Sequence, residues 1–361
     1  MKKTLPFYDP KCSYDENYAK GPFGDFVTSP KNLLKKGSYE IFGLPLDIPF
    51  GIPAGPLLNS NFVKASWNWG YSLATYKTVR GNALAVHPFP NVIKVISKTK
   101  NIKPGDTVLG DLNIDSIDVE KDGITNSFGV PSKTPRIWQA DAKKALKSMQ
   151  RGNLMILSFM GTKLEKMTRR DYIENFVQTC KLARQTGAPI LEVNFSCPNF
   201  GKEGLICNDF ETSADILGAL YKAKGNTPLL VKIGYFGKQQ KHDLDKLLTC
   251  IKKYADGVCA INTIAAKVVN KKGEQVLPGN SVRLLSGTCG ATIRWAGLEM
   301  AKHIVDYKQT KNWKNFAVIG VGGVTTPKDY FKYMKLGVDA VQSATGAMWN
   351  PSLALEIRTS A

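Results

Sequence analysis

The sequence predicts an α/β fold built on a closed parallel (β/α)8 TIM barrel, a single domain with an irregular N-terminal extension. Three observations predict it. Eight short apolar or β-branched runs recur along the chain. Helix-patterned segments separate the later runs; strands alternating with helices imply a parallel sheet, and eight repeats imply that it closes. The residues least suited to a core gather where the runs end, the face on which such barrels carry their chemistry.

The strand candidates are 48–54, 72–77, 154–159, 190–194, 229–232, 257–262, 317–320 and 340–343. The first is interrupted by Pro49 and Pro53, which cannot donate to a ladder. Helical patterns cover 170–186, 213–224, 241–255, 297–306 and 327–336. Residues 1–40, irregular and carrying Pro and Gly, read as an extension packing on the barrel, and residues 41–361 as the barrel. The connection 80–147 is long and holds the turn Asn126-Ser127-Phe128-Gly129-Val130-Pro131.

A chain of 361 residues that is 43% hydrophobic can bury a large core. No apolar run approaches the ~18 residues of a membrane span, and the N-terminus has no apolar stretch of signal-peptide length. Seven cysteines without a CxxC pair and three scattered histidines argue against a disulfide framework, a zinc site and an iron–sulfur cluster. No metal is expected, and a reducing, cytoplasmic setting fits. The formal charge of +19 comes from scattered lysines, such as Lys143, Lys144 and Lys147 on one helical face. A solvated basic surface that attracts anionic substrates explains it without nucleic acid.

The segment Asn194-Phe195-Ser196-Cys197-Pro198-Asn199 is the most informative in the chain. It follows the run 190–194, and a thiol flanked by two asparagines and a proline is a poor core element. As a site it offers carboxamides to grip a planar polar ligand and a thiol to move a proton. Lys77 and Lys232 each end an apolar run, a costly place for a charge unless it meets an anion or an acceptor. Gly320-Val321-Gly322-Gly323 leaves the seventh run and Ser343-Ala344-Thr345-Gly346 leaves the eighth. Paired small-residue turns there are the usual phosphate site of a barrel. Ser286-Gly287-Thr288-Cys289-Gly290-Ala291, before a helix, offers further donors.

Taken together, these motifs resemble the dihydroorotate dehydrogenases in their soluble, cysteine-based class 1 form. The resemblance runs from about Phe50 to Ile357 through PAG (Pro53–Gly55), YKT (Lys77), NSFG (Asn126–Gly129), NFSCPN, VKIGYF (Lys232), INT (Asn262-Thr263), SGTCG, GVGG and QSATG. It implies oxidation of dihydroorotate to orotate in pyrimidine biosynthesis, with the C6 hydride passing to N5 of FMN and the C5 proton to Cys197. It implies substrate contacts from Lys77, Asn126, Phe128, Gly129, Val130, Asn194, Asn199, Asn262 and Thr263, with the substrate carboxylate on the backbone of 128–130. For FMN it implies Ala54, Gly55, Lys77, Thr78, Ser158, Asn194, Lys232, Ile261, Gly287, Gly290, Gly322, Gly323, Ala344 and Thr345, the phosphate lying on the last two turns. A homodimer is expected, with no nucleic acid and no stable membrane insertion.

Thr263 stands where class 1 often has serine, and three further features depart from the class 1 pattern: the lid 201–209 with its Cys207, the long 80–126 stretch and the N-terminal extension. These three leave open which second acceptor reoxidises the flavin: fumarate, a quinone, or NAD through a partner subunit. The nearest rival is a dihydropyrimidine dehydrogenase, whose barrel shares the NxSCP loop. Against it, the NSFG turn suits a carboxylate, and Asn199 replaces the histidine of pyrimidine-reducing relatives. An FMN-dependent tRNA dihydrouridine synthase would suit the charge, but the short tail after the eighth run predicts no appended helical RNA-binding domain. A silent flavin-binding scaffold would need a lost base or lost asparagines, and none is missing.

Overall fold

The computed structural model describes residues 5–30, 37–97, 99–196 and 205–360. The expected eight-stranded barrel is present. Its strands are β1 (Phe50–Ile52), β2 (Leu73–Val79), β3 (Leu154–Phe159), β4 (Ile190–Asn194), β5 (Leu229–Ile233), β6 (Gly257–Ala260), β7 (Ala317–Val321) and β8 (Ala340–Gln342). All pair in parallel, each with the next in the chain, and β8 closes on β1. Every residue of β2 to β8 is buried, as a sheet covered on both faces requires.

β1 is shorter than the run that predicted it, and its prolines give the reason. The Ile48 N–H donates to the Ser72 hydroxyl at 3.0 Å, and Pro49 contributes its carbonyl to the Val341 N–H, also at 3.0 Å. The chain is thus bound into the barrel at Pro49 without the missing donor. β2 carries a register shift between Tyr76 and Val79, so Lys77 and Thr78 lie in a bulge. Bulges re-aim side chains next to sites, and here the Lys77 N–H leaves the ladder for the Leu57 carbonyl at 3.0 Å.

Helices Arg169–Arg184, Phe210–Ala223, Lys241–Tyr254, Arg294–Thr310 and Pro327–Lys335 wrap the barrel close to the expected positions. Ser60–Asn68 and Pro135–Lys147 follow β1 and precede β3. The first of the five starts at a capping box, Thr168 with Asp171, and the last at Thr326, whose hydroxyl accepts from Asp329 N–H with Pro327 in the first turn.

A second, five-stranded closed sheet was not expected. Lys94–Ile96, Thr107–Asp111 and Gly123–Asn126 come from the long connection after β2, and Ile264–Val269 and Leu285–Gly290 from the one after β6. Its closing pairs join segments far apart in sequence, such as Lys267 with Thr107, so local pattern carried little sign of it. The SGTCG segment is therefore a strand, not a turn. The sheet stands at the strand-end face, and its last residues, Asn126 and Gly290, reach the barrel mouth.

The N-terminal segment also carries more order than its composition suggested. A helix, Tyr14–Lys20, starts at a capping box formed by Ser13 and Glu16. Buried Asn17 accepts from Asp9 N–H at 2.8 Å and donates to the carbonyls of Asp9, Cys12 and Ser13. Phe7 is fully buried against Phe26 and Phe62, and its N–H bonds the Met348 carbonyl at 3.0 Å.

Candidate active site

A cleft of about 820 Å³ opens at the strand-end mouth of the barrel. A neighbouring cavity of about 510 Å³ shares Ala54, Gly55, Lys77, Asn126, Phe128, Asn262 and Thr263 with it. The two form one continuous site with two ends.

The first end lies between β7 and β8. Gly322, Gly323, Ala344, Thr345, Gly290, Ile261 and Lys232 line it. Gly322 and Gly323 have φ of 132° and 68° and Gly290 of 97°, conformations glycine adopts without strain. The turn is held from outside the cleft. The Tyr333 hydroxyl donates to Gly322 O at 2.8 Å, Arg294 Nε donates to Gly323 O at 2.7 Å, and the Ser343 hydroxyl donates to Val324 O at 2.6 Å. Arg294 also pairs with buried Asp329 at 3.1 Å. A Cβ on Gly323 would strike the Arg294 backbone, so the glycine lets the turn lie against that helix start while its other side faces the cleft.

Lys232 is buried and reaches the cleft floor, its Nζ donating to Cys259 Sγ at 3.4 Å. Cys259 in turn donates to Gln342 Oε1 at 3.5 Å, and Gln342 Nε2 to Thr75 Oγ1 at 2.9 Å. This layer of polar side chains crosses the barrel interior and supports the lysine from below. Glu192 belongs to the same interior, fully buried, with Lys232, Ser158 and Cys259 beside its carboxyl group. Burial raises its carboxyl above the usual range, and Lys232 offsets part of that rise.

The second end is lined by Thr78, Gly129, Val130 and Asn194 in addition to the shared residues. Two of its carboxamides are half committed. Asn194 Oδ1 accepts from the N–H and the hydroxyl of Ser196, both at 3.0 Å, and among the described residues none takes its side-chain N–H groups. Asn262 Nδ2 donates to the Ser196 carbonyl at 2.9 Å, leaving its oxygen. One amide is thus set to donate and the other to accept.

The turn after Asn126 is held on several sides. Arg80, buried, donates Nε to Val130 O at 2.9 Å and Nη1 to Gly161 O at 2.7 Å. Arg283, also buried, donates to the Ser127 hydroxyl and carbonyl at 3.2 Å each, and Asn91 Nδ2 donates to the same carbonyl at 3.0 Å. The His87 N–H donates to Phe128 O at 3.1 Å. Gly129 and Val130 both have positive φ, at 76° and 52°.

Most of the expected site residues therefore share one cleft. Ser158 and Gly287 do not line it. Ser158 lies beneath the surface, 3.0 Å from the Thr78 hydroxyl, and Gly287 lies behind Thr263, whose hydroxyl a Cβ there would strike. Cys197 and Asn199 lie outside the described residues. Cys207 is buried away from the cleft, accepts from Gly234 N–H at 3.5 Å, and has its thiol pushed up to about 12 by burial. It is a poor proton acceptor. Sequence reasoning missed the apolar wall of the first end, made by Tyr8, Leu58, Val92, Ile124 and Met348, and the buried pair Arg80 and Arg283. None of these stands in a motif; tertiary packing brings them together.

The fold and the cleft define a (β/α)8-barrel enzyme whose mouth joins a glycine-lined end to a pocket of carboxamides and lysine. A profile described as dihydroorotate dehydrogenase matches residues 95–359. The chain is 33% identical over 363 residues to the dihydroorotate dehydrogenase of Dictyostelium discoideum, covering 97% of this chain and 96% of that one. It is 26% identical over 262 residues to the catalytic subunit of dihydroorotate dehydrogenase B (NAD(+)) from Geotalea daltonii, covering 67% of this chain and 81% of the relative. A crystal structure of an Eimeria tenella dihydroorotate dehydrogenase in complex with ferulenol superposes with a TM-score of 0.67 over 91% of this chain and 85% of that chain, at 16% identity, which bears on the fold. The chain belongs to the dihydroorotate dehydrogenase family and is an oxidoreductase whose chemistry uses a redox cofactor.

Proposed function

We propose that this protein oxidises dihydroorotate to orotate in pyrimidine biosynthesis with FMN as its redox cofactor. The observation that carries the reading is the continuity of the site. Lys77, Asn126, Asn262 and Thr263 border both ends, so a planar ligand in the carboxamide pocket meets a cofactor whose phosphate lies in the glycine cradle. The residues fit FMN on their own chemistry: a turn of glycine backbone at Gly290, Gly322 and Gly323 facing the cleft, a buried lysine at the cleft floor, and an apolar wall for a flat ring system.

When bound, FMN would supply the acceptor for the hydride that leaves C6 of dihydroorotate. The other changes fall to the chain. Asn194 donates to and Asn262 accepts from the pyrimidine ring, using the halves of their amides that Ser196 leaves free. The 128–130 backbone receives the substrate carboxylate. The Cys197 thiolate takes the C5 proton, the role the class 1 resemblance implies, as C6 loses its hydride and the double bond forms. Lys232 and Lys77 supply positive charge where electron density accumulates.

The same reading makes the protein a cytoplasmic homodimer. The described cysteines 12, 180, 207, 250, 259 and 289 are free thiols, which suits a reducing compartment. Ile96, Leu112 and Leu285 expose apolar side chains at the small five-stranded sheet, a surface suited to a second copy. No helix among the described residues is long and apolar enough to cross a membrane.

The test is anaerobic. The purified protein should carry non-covalent FMN, and dihydroorotate should bleach it while dihydrouracil does not. A folded protein that takes up no FMN, or one bleached faster by dihydrouracil, overturns the reading.

A further inference from the structure

The N-terminal segment reaches into the site it was expected only to flank. Tyr8 is 3% exposed and lines the first end of the cleft with Leu58, Ile124 and Met348. Its ring meets that of Phe128 edge to face, with centroids 5.6 Å apart at 89°. Tyr14, at the start of the arm helix, meets the same ring at 6.1 Å and 63°. Phe128 borders both ends of the cleft, and its backbone belongs to the turn that the proposed function assigns to the substrate carboxylate.

The arm is fixed well enough to transmit position. Asn17 binds Asp9–Ser13 into one rigid loop through its carboxamide, and the Tyr18 carbonyl accepts from Asn59 Nδ2 at 2.7 Å. Phe7 ties the arm to Met348, itself a wall of the cleft. Beyond the turn, Lys133 pairs with Asp15 at 2.8 Å and lies 5.1 Å from the Tyr18 ring centroid, so the arm grips both sides of the Asn126–Pro131 segment. Arg80, Arg283 and Asn91 hold the backbone of that segment. The aromatic side chain is held by the arm.

The geometry points to Tyr14 and Tyr8 as positioning residues for substrate specificity: they fix the Phe128 ring and, through it, the amides that receive a carboxylate, making the N-terminal arm part of the substrate site. The inference rests on the proposed function, since it needs a carboxylate at that turn. Tyr14 lines neither end of the cleft, and the cleft ring it meets is that of Phe128.

The experiment measures dissociation constants of orotate and uracil for the FMN-loaded protein from the flavin spectrum. It compares wild type, Tyr14→Ala, Tyr14→Phe, Phe128→Ala and the double variant Tyr14→Ala/Phe128→Ala. Tyr14→Ala should weaken orotate about fivefold or more and leave uracil within about twofold. Tyr14→Phe, which keeps the ring that meets Phe128, should restore wild-type values. In the Phe128→Ala background, Tyr14→Ala should have no further effect. Tyr14→Leu, which keeps apolar volume, serves if the alanine variant fails to fold. An unchanged orotate-to-uracil ratio in Tyr14→Ala, or an equal loss in the Phe128→Ala background, overturns the inference. Wild-type protein that binds both ligands equally refutes instead the carboxylate assignment on which it rests.

Discussion

Gly323→Ala tests the cradle most directly, and its cost can be worked from the structure. Gly323 has φ of 68°, where an L side chain costs about 1–2 kcal/mol. The added Cβ would lie 2.5 Å from Arg294 Cβ, 2.6 Å from its Cα and 2.7 Å from its N. Two of those atoms are backbone at the start of the Arg294–Thr310 helix, so they cannot swing aside as a side-chain tip would. Overpacking of this kind costs about 1–3 kcal/mol, and the two terms together reach about 2–5 kcal/mol. The turn escapes by moving away from the helix, which breaks the Arg294 Nε bond to Gly323 O and closes the cradle. A loss of even about 2 kcal/mol in binding is about thirtyfold in affinity. Fluorescence titration of the flavin-free protein with FMN should therefore show at least that weakening. Gly273→Ala is the control: its φ of 82° imposes the same strain, nothing lies within 4 Å of the new Cβ, and it stands away from the cleft. It should cost stability and leave FMN affinity unchanged. If Gly323→Ala binds FMN like the wild type, the phosphate does not lie in this turn.

Cys197→Ala should retain FMN and slow flavin reduction by dihydroorotate by at least about a hundredfold, read by anaerobic stopped flow; a normal rate would make the cysteine structural. Orotate should bind at least about a hundredfold more tightly than uracil, since each buried donor left unpaired costs about 1–3 kcal/mol; spectral titration showing equal affinity would remove the carboxylate from the 128–130 turn. Glu192 carries a pH signature. Its folded pKa is raised by burial, so the folded state holds a proton that the unfolded chain has released above its ordinary pKa near 4.5. The contribution is fully favourable below that value and is lost as pH rises towards the folded pKa. Glu192→Gln should therefore melt at a higher temperature than wild type at pH 7 and near the same temperature at pH 4. A variant destabilised more at pH 7 than at pH 4 would show that the carboxylate is needed charged.

The barrel was legible in the sequence because its strands are buried on both faces and read as continuous apolar runs, five of them matched by helices within a few residues of the expected bounds. The site motifs were legible for a related reason. Lysines, asparagines and glycines at strand ends violate the local pattern of a core, as at Lys77, Lys232 and Gly322-Gly323, and such violations survive where a ligand compensates them. The five-stranded sheet was not legible, because strands such as Lys94–Ile96 are short and partly exposed, and the pairs that close it join residues far apart in sequence, as Lys267 with Thr107 and Gly287 with Asn126. Nor was the division of labour between Asn194 and Asn262, which depends on which half of each amide Ser196 engages. Tyr8 and Tyr14 are unremarkable aromatics in an irregular stretch. Only the folded chain brings them against Phe128, because aromatic packing is set by distance in space, which local sequence does not encode.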